Sequence, residues 1–261
     1  MINNYLERQI KEIFHFQPTK EQDFVIKMLA TFLLSPKSDL LFLLRGYAGT
    51  GKTSLVGALV KTLDMLKQKT ILLAPTGRAA KVLSSYANHP AFTIHKKIYR
   101  QKSFADESAS FSICDNLNKH TLFLVDEASM ISGERDNAIF GTGMLLDDLM
   151  QYIFSGERCS LLLIGDDAQL PPVGSELSPA LNSDYLAGYG LQISSYTLTQ
   201  VARQALDSGI LLNATEIRQQ IATPNPTFDF QFTTDFQEFD GQNFIDLLEE
   251  SYQDVGLEET I

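Results

Sequence analysis

Three stretches of this sequence carry residues whose types and spacing suit phosphate chemistry. GYAGTGKT, residues 46–53, fits the pattern G-x-x-x-x-G-K-[ST] between a strand-like run and a helical one. Its glycines, Gly46, Gly49 and Gly51, let the backbone that also carries Tyr47, Ala48 and Thr50 wrap a phosphate at a helix N-terminus. Lys52 can reach the outer phosphates of a nucleotide, the Thr53 hydroxyl can ligate Mg²⁺, and Ser54 extends the cradle. VDEAS, residues 125–129, ends an apolar run with Asp126, a second carboxylate for Mg²⁺, and Glu127, placed to orient and deprotonate a water. GDDAQLPPVG, residues 165–174, crowds two carboxylates, an amide and two prolines onto a third strand end. The Gln169 amide can donate to a γ-phosphate oxygen and accept from an attacking water, where a carboxylate would be repelled. Pro171 and Pro172 lack N–H groups and stiffen the exit from that strand; by themselves they also suit a plain rigid loop. Together these stretches predict hydrolysis of Mg·ATP.

Two further stretches point to a polyanionic partner. APTGRAAKVL, residues 74–83, offers Pro75, Thr76, Gly77 and Arg78 at a strand-to-helix junction; TIHKK, residues 93–97, offers Thr93, His95, Lys96 and Lys97. Residues 65–105 hold eight Lys and Arg and no Asp or Glu, whereas the chain as a whole carries a net charge of −11. A basic segment on an acidic protein reads as a solvated face or as a local track for nucleic-acid phosphates. His95 alone would read as a packing residue; its basic surroundings bring the functional reading level with that.

The elements that must position these residues alternate. Apolar strands are expected at 40–45, 70–75, 121–126, 160–165 and 192–199, and helices at 3–15, 19–34, 52–66, 78–87, 143–154, 178–187, 206–221 and 242–255. Alternation of buried strands with helices predicts an α/β fold: a mostly parallel sheet with helices on both faces, and ligands beyond the carboxyl ends of the strands. Residues 99–120 break the pattern with a polar stretch, expected as a hairpin or loop excursion.

The chain is 261 residues long and 44% hydrophobic, enough to bury a full core in one large domain or two small ones. No apolar run approaches the 18 or so residues of a membrane span, and the N-terminus is polar. Cys114 and Cys159 lack metal-like spacing and read as free thiols. These features predict a soluble cytoplasmic protein.

The stretches GYAGTGKT, APTGRAAKVL, TIHKK, VDEASM, GDDAQLPPVG and LTQVARQ, in this order, resemble those of superfamily-one DNA helicases, and most of all their RecD-like branch, over residues 17–204. The resemblance implies a RecA-like P-loop domain that hydrolyses ATP with Mg²⁺ to move on single-stranded DNA, with subunits of repair or recombination complexes as further partners. It implies that TKEQ, residues 19–22, reads adenine through Gln22, that Gln169 senses the γ-phosphate, and that Arg203 stabilises transition-state charge. It places Pro75, Thr76, Thr93, His95 and the Pro171–Pro172 turn on the DNA side. It also makes 99–120 a candidate strand-separating pin, with Phe104 or Phe111 stacking on a base, beside the plainer reading of an exposed hairpin. After Arg218 the chain holds ten acidic residues and no Lys or Arg. A helicase of this kind needs a second motor domain, expected outside this chain, so residues 1–261 are expected to form the first motor domain, with 206–261 leading onward. A stand-alone nucleotide-dependent switch that binds protein partners is the competing reading.

Overall fold

The computed structural model describes residues 2–14, 16–101, 111–133, 135, 139–169, 172, 178–202, 208–221, 223–224 and 226–233. The chain divides into two compact units, residues 1–202 and 203–261.

In the first unit, helices α1 (Ile2–Ile13) and α2 (Lys20–Leu33) precede β1 (Leu40–Gly46) and α3 (Lys52–Met65). Then come β2 (Thr70–Ala74), α4 (Gly77–Ala87), β3 (Ala91–Thr93), α5 (Ile94–Ile98), β4 (Tyr99–Gln101), β5 (Phe111–Ile113) and β6 (Leu122–Val125). The unit closes with α6 (Leu145–Phe154), β7 (Ser160–Gly165), α7 (Ser183–Ala187) and β8 (Gln192–Leu198). Six strands form one sheet in the order β3-β2-β6-β7-β1-β8, and every pairing in it is parallel. The fold is the expected α/β one.

Continuous apolar runs make these strands because both faces of the sheet are covered. Alternation along β1 divides its side chains between two cores. Phe42 and Leu44 join the core beneath α1, α2, α3 and α4, while Leu41 and Leu43 join the one beneath α5 and α6. All four are fully buried. Gly46 ends β1 where only glycine fits: a Cβ there would lie 2.9 Å from the Leu198 Cβ on β8.

Two expectations change. The helix predicted over 178–187 is a 3-10 turn, Pro179–Leu181, followed by the short α7. Asn182 separates them: its side chain accepts from the Asp184 and Tyr185 N–H groups and so caps a new helix. The short β3 and α5 between APTGRAAKVL and residue 99 were not expected at all. Within the excursion, β4 and β5 pair antiparallel, from Tyr99↔Ile113 to Gln101↔Phe111. Phe104 lies outside the described residues. Phe111 stacks on Phe140 with ring centroids 4.7 Å apart, so its ring already has an aromatic partner.

In the second unit, α8 (Gly209–Ile221) is tied to the following segment by Asn213. Its amide donates to the Gln231 carbonyl at 2.8 Å and accepts from the Gln231 N–H at 2.9 Å. The helix predicted over 242–255 lies outside the described residues. No described helix is long and apolar enough to cross a membrane.

Candidate nucleotide site

The carboxyl ends of β1, β6 and β7 lie side by side, and the stretches that follow them meet there. The loop after β1 turns through two left-handed glycines, Gly49 (φ 77°) and Gly51 (φ 83°), a conformation that costs glycine nothing. Lys52 opens α3 and folds back into this loop. Its Nζ donates to the carbonyls of Gly46 and, at 3.0 Å, Tyr47, and stands 3.5 Å from Asp166 Oδ2. The ammonium thus occupies the concavity that a phosphate would share. Tyr47, Ala48 and Thr50 belong to that loop, Ser54 lies in the first turn of α3, and Thr50 is fully buried.

Asp126 follows β6. Its Oδ1 accepts the Glu127 N–H at 2.9 Å, and its Oδ2 accepts the hydroxyl of Tyr86 on α4. Burial beside this carboxylate pushes the Tyr86 phenol far above its ordinary range. Tyr86 also lines a small cavity with Thr53 and Ser54, so it touches the surroundings of both residues expected to hold Mg²⁺. A carboxylate with an unused lone pair on each oxygen and a nearby hydroxyl are the hard oxygen donors that Mg²⁺ prefers.

Glu127 sits at φ 55°, ψ 38° and heads a single 3-10 turn. Burial, and then the adjacent Asp126 charge, raise its carboxyl above the usual range, while a hydrogen bond from Gln169 and the charge of Lys52 pull the other way. A carboxylate raised toward neutrality is better matched to accepting a proton. The Gln169 Oε1 accepts the Ser129 hydroxyl at 2.7 Å, which leaves its NH₂ to donate. Glu127, Gln169, Asp166 and Lys52 therefore form one interacting group. A cavity of about 500 Å³ opens beside it, lined by Arg45, Ser129, Asp166, Asp167 and Gln169 among others.

Gln22 arrives differently from expectation. It is buried, and both ends of its amide are engaged within the protein: Oε1 accepts the Thr19 N–H at 2.9 Å, and Nε2 donates to the Thr50 carbonyl at 2.8 Å. Each end keeps one further bonding position, a second N–H and a second lone pair, so burial more than hydrogen bonding separates it from a base. Arg203 and Pro171 lie outside the described residues, and Pro172 is half-buried.

On the prospective DNA side, Pro75, Thr76 and Arg78 follow β2, and Thr93, His95 and Lys96 follow β3, so both groups lie along the same carboxyl edge. The Thr76 and Thr93 hydroxyls cap α4 and α5 by accepting the N–H groups of Ala79 and Lys96, each at 3.2 Å. His95 packs against Phe140 at 5.1 Å and Tyr99 at 5.6 Å. Arg78 and Lys96 are exposed. The basic segment does not form one track: Lys67 and Lys69 precede β2, at the opposite edge of the sheet from Arg78 and Lys96.

Sequence reasoning missed Tyr86, Ser129 and Glu21. Tyr86 had no signal beyond lying on α4. Ser129 sat unremarked within VDEAS. Glu21 was read only as part of TKEQ, yet it accepts hydrogen bonds from Thr199 and Gln200.

The profile of a family described as the AAA domain matches residues 19–226. The chain is 31% identical over 172 residues to the ATP-dependent RecD2 DNA helicase of Deinococcus radiodurans, covering 66% of this chain and 21% of that protein. It is 29% identical over 180 residues to the ATP-dependent DNA helicase dda of Enterobacteria phage T4, covering 67% of this chain and 37% of that one. The chain thus spans well under half the length of these relatives. Its fold is similar to that of the Bacteroides Pif1 helicase in complex with ADP-AlF3 and ssDNA, with a TM-score of 0.50 and 16% identity over 93% of this chain and 58% of that one. With this profile matched over most of its length, the chain belongs to the AAA domain family.

Proposed function

We propose that this chain is a motor domain of an ATP-dependent DNA helicase, which hydrolyses Mg·ATP and couples that hydrolysis to movement on single-stranded DNA. The observation that carries the reading is the grouping of Lys52, Asp166, Glu127 and Gln169 at three adjacent strand ends.

In this reading Lys52 leaves the Gly46 and Tyr47 carbonyls for the β- and γ-phosphates, and the loop amides take the remaining phosphate charge. Thr53 and Asp126 would hold Mg²⁺, which neutralises charge building on the transferred phosphoryl group. Glu127 takes the proton of the attacking water. Gln169 donates to the γ-phosphate and is held in register by the Ser129 hydroxyl. Arg203 supplies further positive charge, and Gln22 contacts the base through the N–H and lone pair that its protein partners leave unused. Arg78, Lys96, Thr76, Thr93, His95, Pro75 and the Pro171–Pro172 turn face the DNA backbone, where phosphate contacts supply salt-dependent affinity.

Calorimetric titration of ADP and a non-hydrolysable ATP analogue into the purified chain tests the nucleotide step. Lys52→Ala should weaken binding by about 10- to 100-fold, the worth of a hydrogen bond to a charged group, with the fold unchanged. Unchanged affinity would refute the site. Single-stranded DNA should bind the chain more tightly in low salt, and a salt-independent affinity would refute the phosphate track.

A further inference from the structure

Three segments far apart in sequence close a ring of hydrogen bonds around the phosphate-binding loop. Glu21, in the first turn of α2, accepts the Thr199 N–H at 2.8 Å, the Thr199 hydroxyl at 2.7 Å and the Gln200 N–H at 2.8 Å. Two residues on, the Ala202 N–H donates to the Gly49 carbonyl at 2.8 Å. Gln22, beside Glu21, donates to the Thr50 carbonyl at 2.8 Å. So α2 holds residues 199–200, Ala202 holds the loop, and the loop is held again by α2.

The two pinned carbonyls belong to the peptides on either side of Thr50, between the left-handed Gly49 and Gly51. This is the part of the loop whose own sequence restrains it least. A peptide is planar and trans, so its C=O and N–H point in opposite directions. Pinning the Gly49 carbonyl therefore sets the direction of the Thr50 N–H, which bonds the Tyr47 carbonyl at 3.3 Å and so fixes the turn of the loop, and pinning the Thr50 carbonyl sets the direction of the Gly51 N–H. An anion nest works when its amides are aimed before the anion arrives.

We infer that Glu21 is a positioning residue for the phosphate-binding loop. By holding residues 199–200 it keeps Ala202 on the Gly49 carbonyl, and the closed ring presets the loop amides for phosphate. A carboxylate suits this task because Oε2 takes both N–H groups and Oε1 the Thr199 hydroxyl, each as a charge-assisted bond; a glutamine would replace the two N–H bonds by weaker neutral ones and force the Thr199 hydroxyl to turn from donor to acceptor. The inference rests on the reading of the loop as a nucleotide site.

The test compares the wild-type chain, Glu21→Gln and Thr199→Val by titration with Mg·ADP and with Mg·pyrophosphate, which probes the phosphate nest without a base. Amide hydrogen exchange at Ala202 is measured in the same samples. Glu21→Gln should weaken both ligands by about three- to tenfold, less than a fully buried charged pair because the carboxylate is partly solvated. It should also speed exchange at Ala202. Thr199→Val, which removes one of the three donors, should move both readings the same way by a smaller factor. Wild-type affinity for pyrophosphate in folded Glu21→Gln overturns the inference, even if ADP binding weakens. If Glu21→Gln does not fold, unchanged pyrophosphate affinity in Thr199→Val overturns it. A wild-type chain that binds neither ligand removes the nucleotide reading itself, and the inference with it.

Discussion

Two glycines near the carboxyl ends of β1 and β2 should respond in opposite ways to one added methyl group. Gly46 ends β1 and Gly77 begins α4. A Cβ at 46 would lie 2.9 Å from the Leu198 Cβ, 2.9 Å from Thr50 Oγ1 and 3.1 Å from the Leu198 carbonyl oxygen. Leu198 is the register partner of Gly46 on β8 and cannot swing aside. Thr50 Oγ1 is held by donation to the Tyr47 carbonyl at 2.7 Å. Ordinary contact between carbons requires about 3.5–4.0 Å, so β1 and β8 must part by about 0.5–1 Å. Overpacking of this kind costs about 1–3 kcal/mol. At about 2–4 °C per kcal/mol for a chain of this size, Gly46→Ala should melt roughly 2–12 °C lower. It should also bind ADP more weakly, because the same shift distorts the loop that Lys52 fills. At Gly77 an added Cβ meets nothing within 4 Å. Alanine there should stabilise by about 0.4–1 kcal/mol through the unfolded state and leave ADP binding alone. Thermal melts and ADP titrations of both variants decide the matter. Wild-type melting and affinity in Gly46→Ala, or equal damage from Gly77→Ala, would refute the packing argument.

Glu127→Gln keeps the shape of the side chain but removes the base, so single-turnover ATP hydrolysis should fall about 10²- to 10⁴-fold while nucleotide affinity holds; an equal loss of affinity would mean that the residue acts in binding. Tyr86→Phe removes the hydroxyl that Asp126 accepts, and Mn²⁺ affinity in the presence of ADP, read by electron paramagnetic resonance, should change; unchanged affinity would make Tyr86 a packing residue only. Asp23 on α2 pairs with Lys11 on α1 and with Lys27 one turn along its own helix, and their hydrogen bonds hold its carboxyl below the usual range. That contribution is present at neutral pH and lost as pH falls through the lowered value. Asp23→Asn should therefore cost about 0.2–1 kcal/mol at pH 7 and nothing in strong acid; a gap in melting temperature that persists in acid would contradict this.

The strands and the phosphate loop were legible because their signals are local. The runs LLFLL, residues 40–44, and LLLI, residues 161–164, contain no polar residue to face water, so they must be covered on both sides. The glycine spacing of GYAGTGKT encodes a backbone path within eight residues. The helix expected over 178–187 failed on a local signal given too little weight: Pro179 starts a turn and Asn182 restarts it. The division of the basic segment was hidden for another reason. Charge was counted along the chain, but β2 runs the width of the sheet and carries Lys67 and Lys69 to one edge and Arg78 to the other.

By itself the sequence determined that this chain forms a covered parallel sheet with Lys52, Asp126, Glu127 and Gln169 at strand ends. Period and composition decide which residues can be strands, and each of the stretches that carry these side chains is short. Only the tertiary structure decided which strand ends are neighbours. The order β3-β2-β6-β7-β1-β8 puts β7 between β6 and β1, and so sets Gln169 and Asp166 between Glu127 and Lys52. It also decided that Tyr86 reaches Asp126 and that Glu21 holds Thr199, 178 positions away. Such contacts leave no period or spacing in the chain. They arise when helices and strands with no local preference for one another pack into the one arrangement that buries both apolar faces of the sheet.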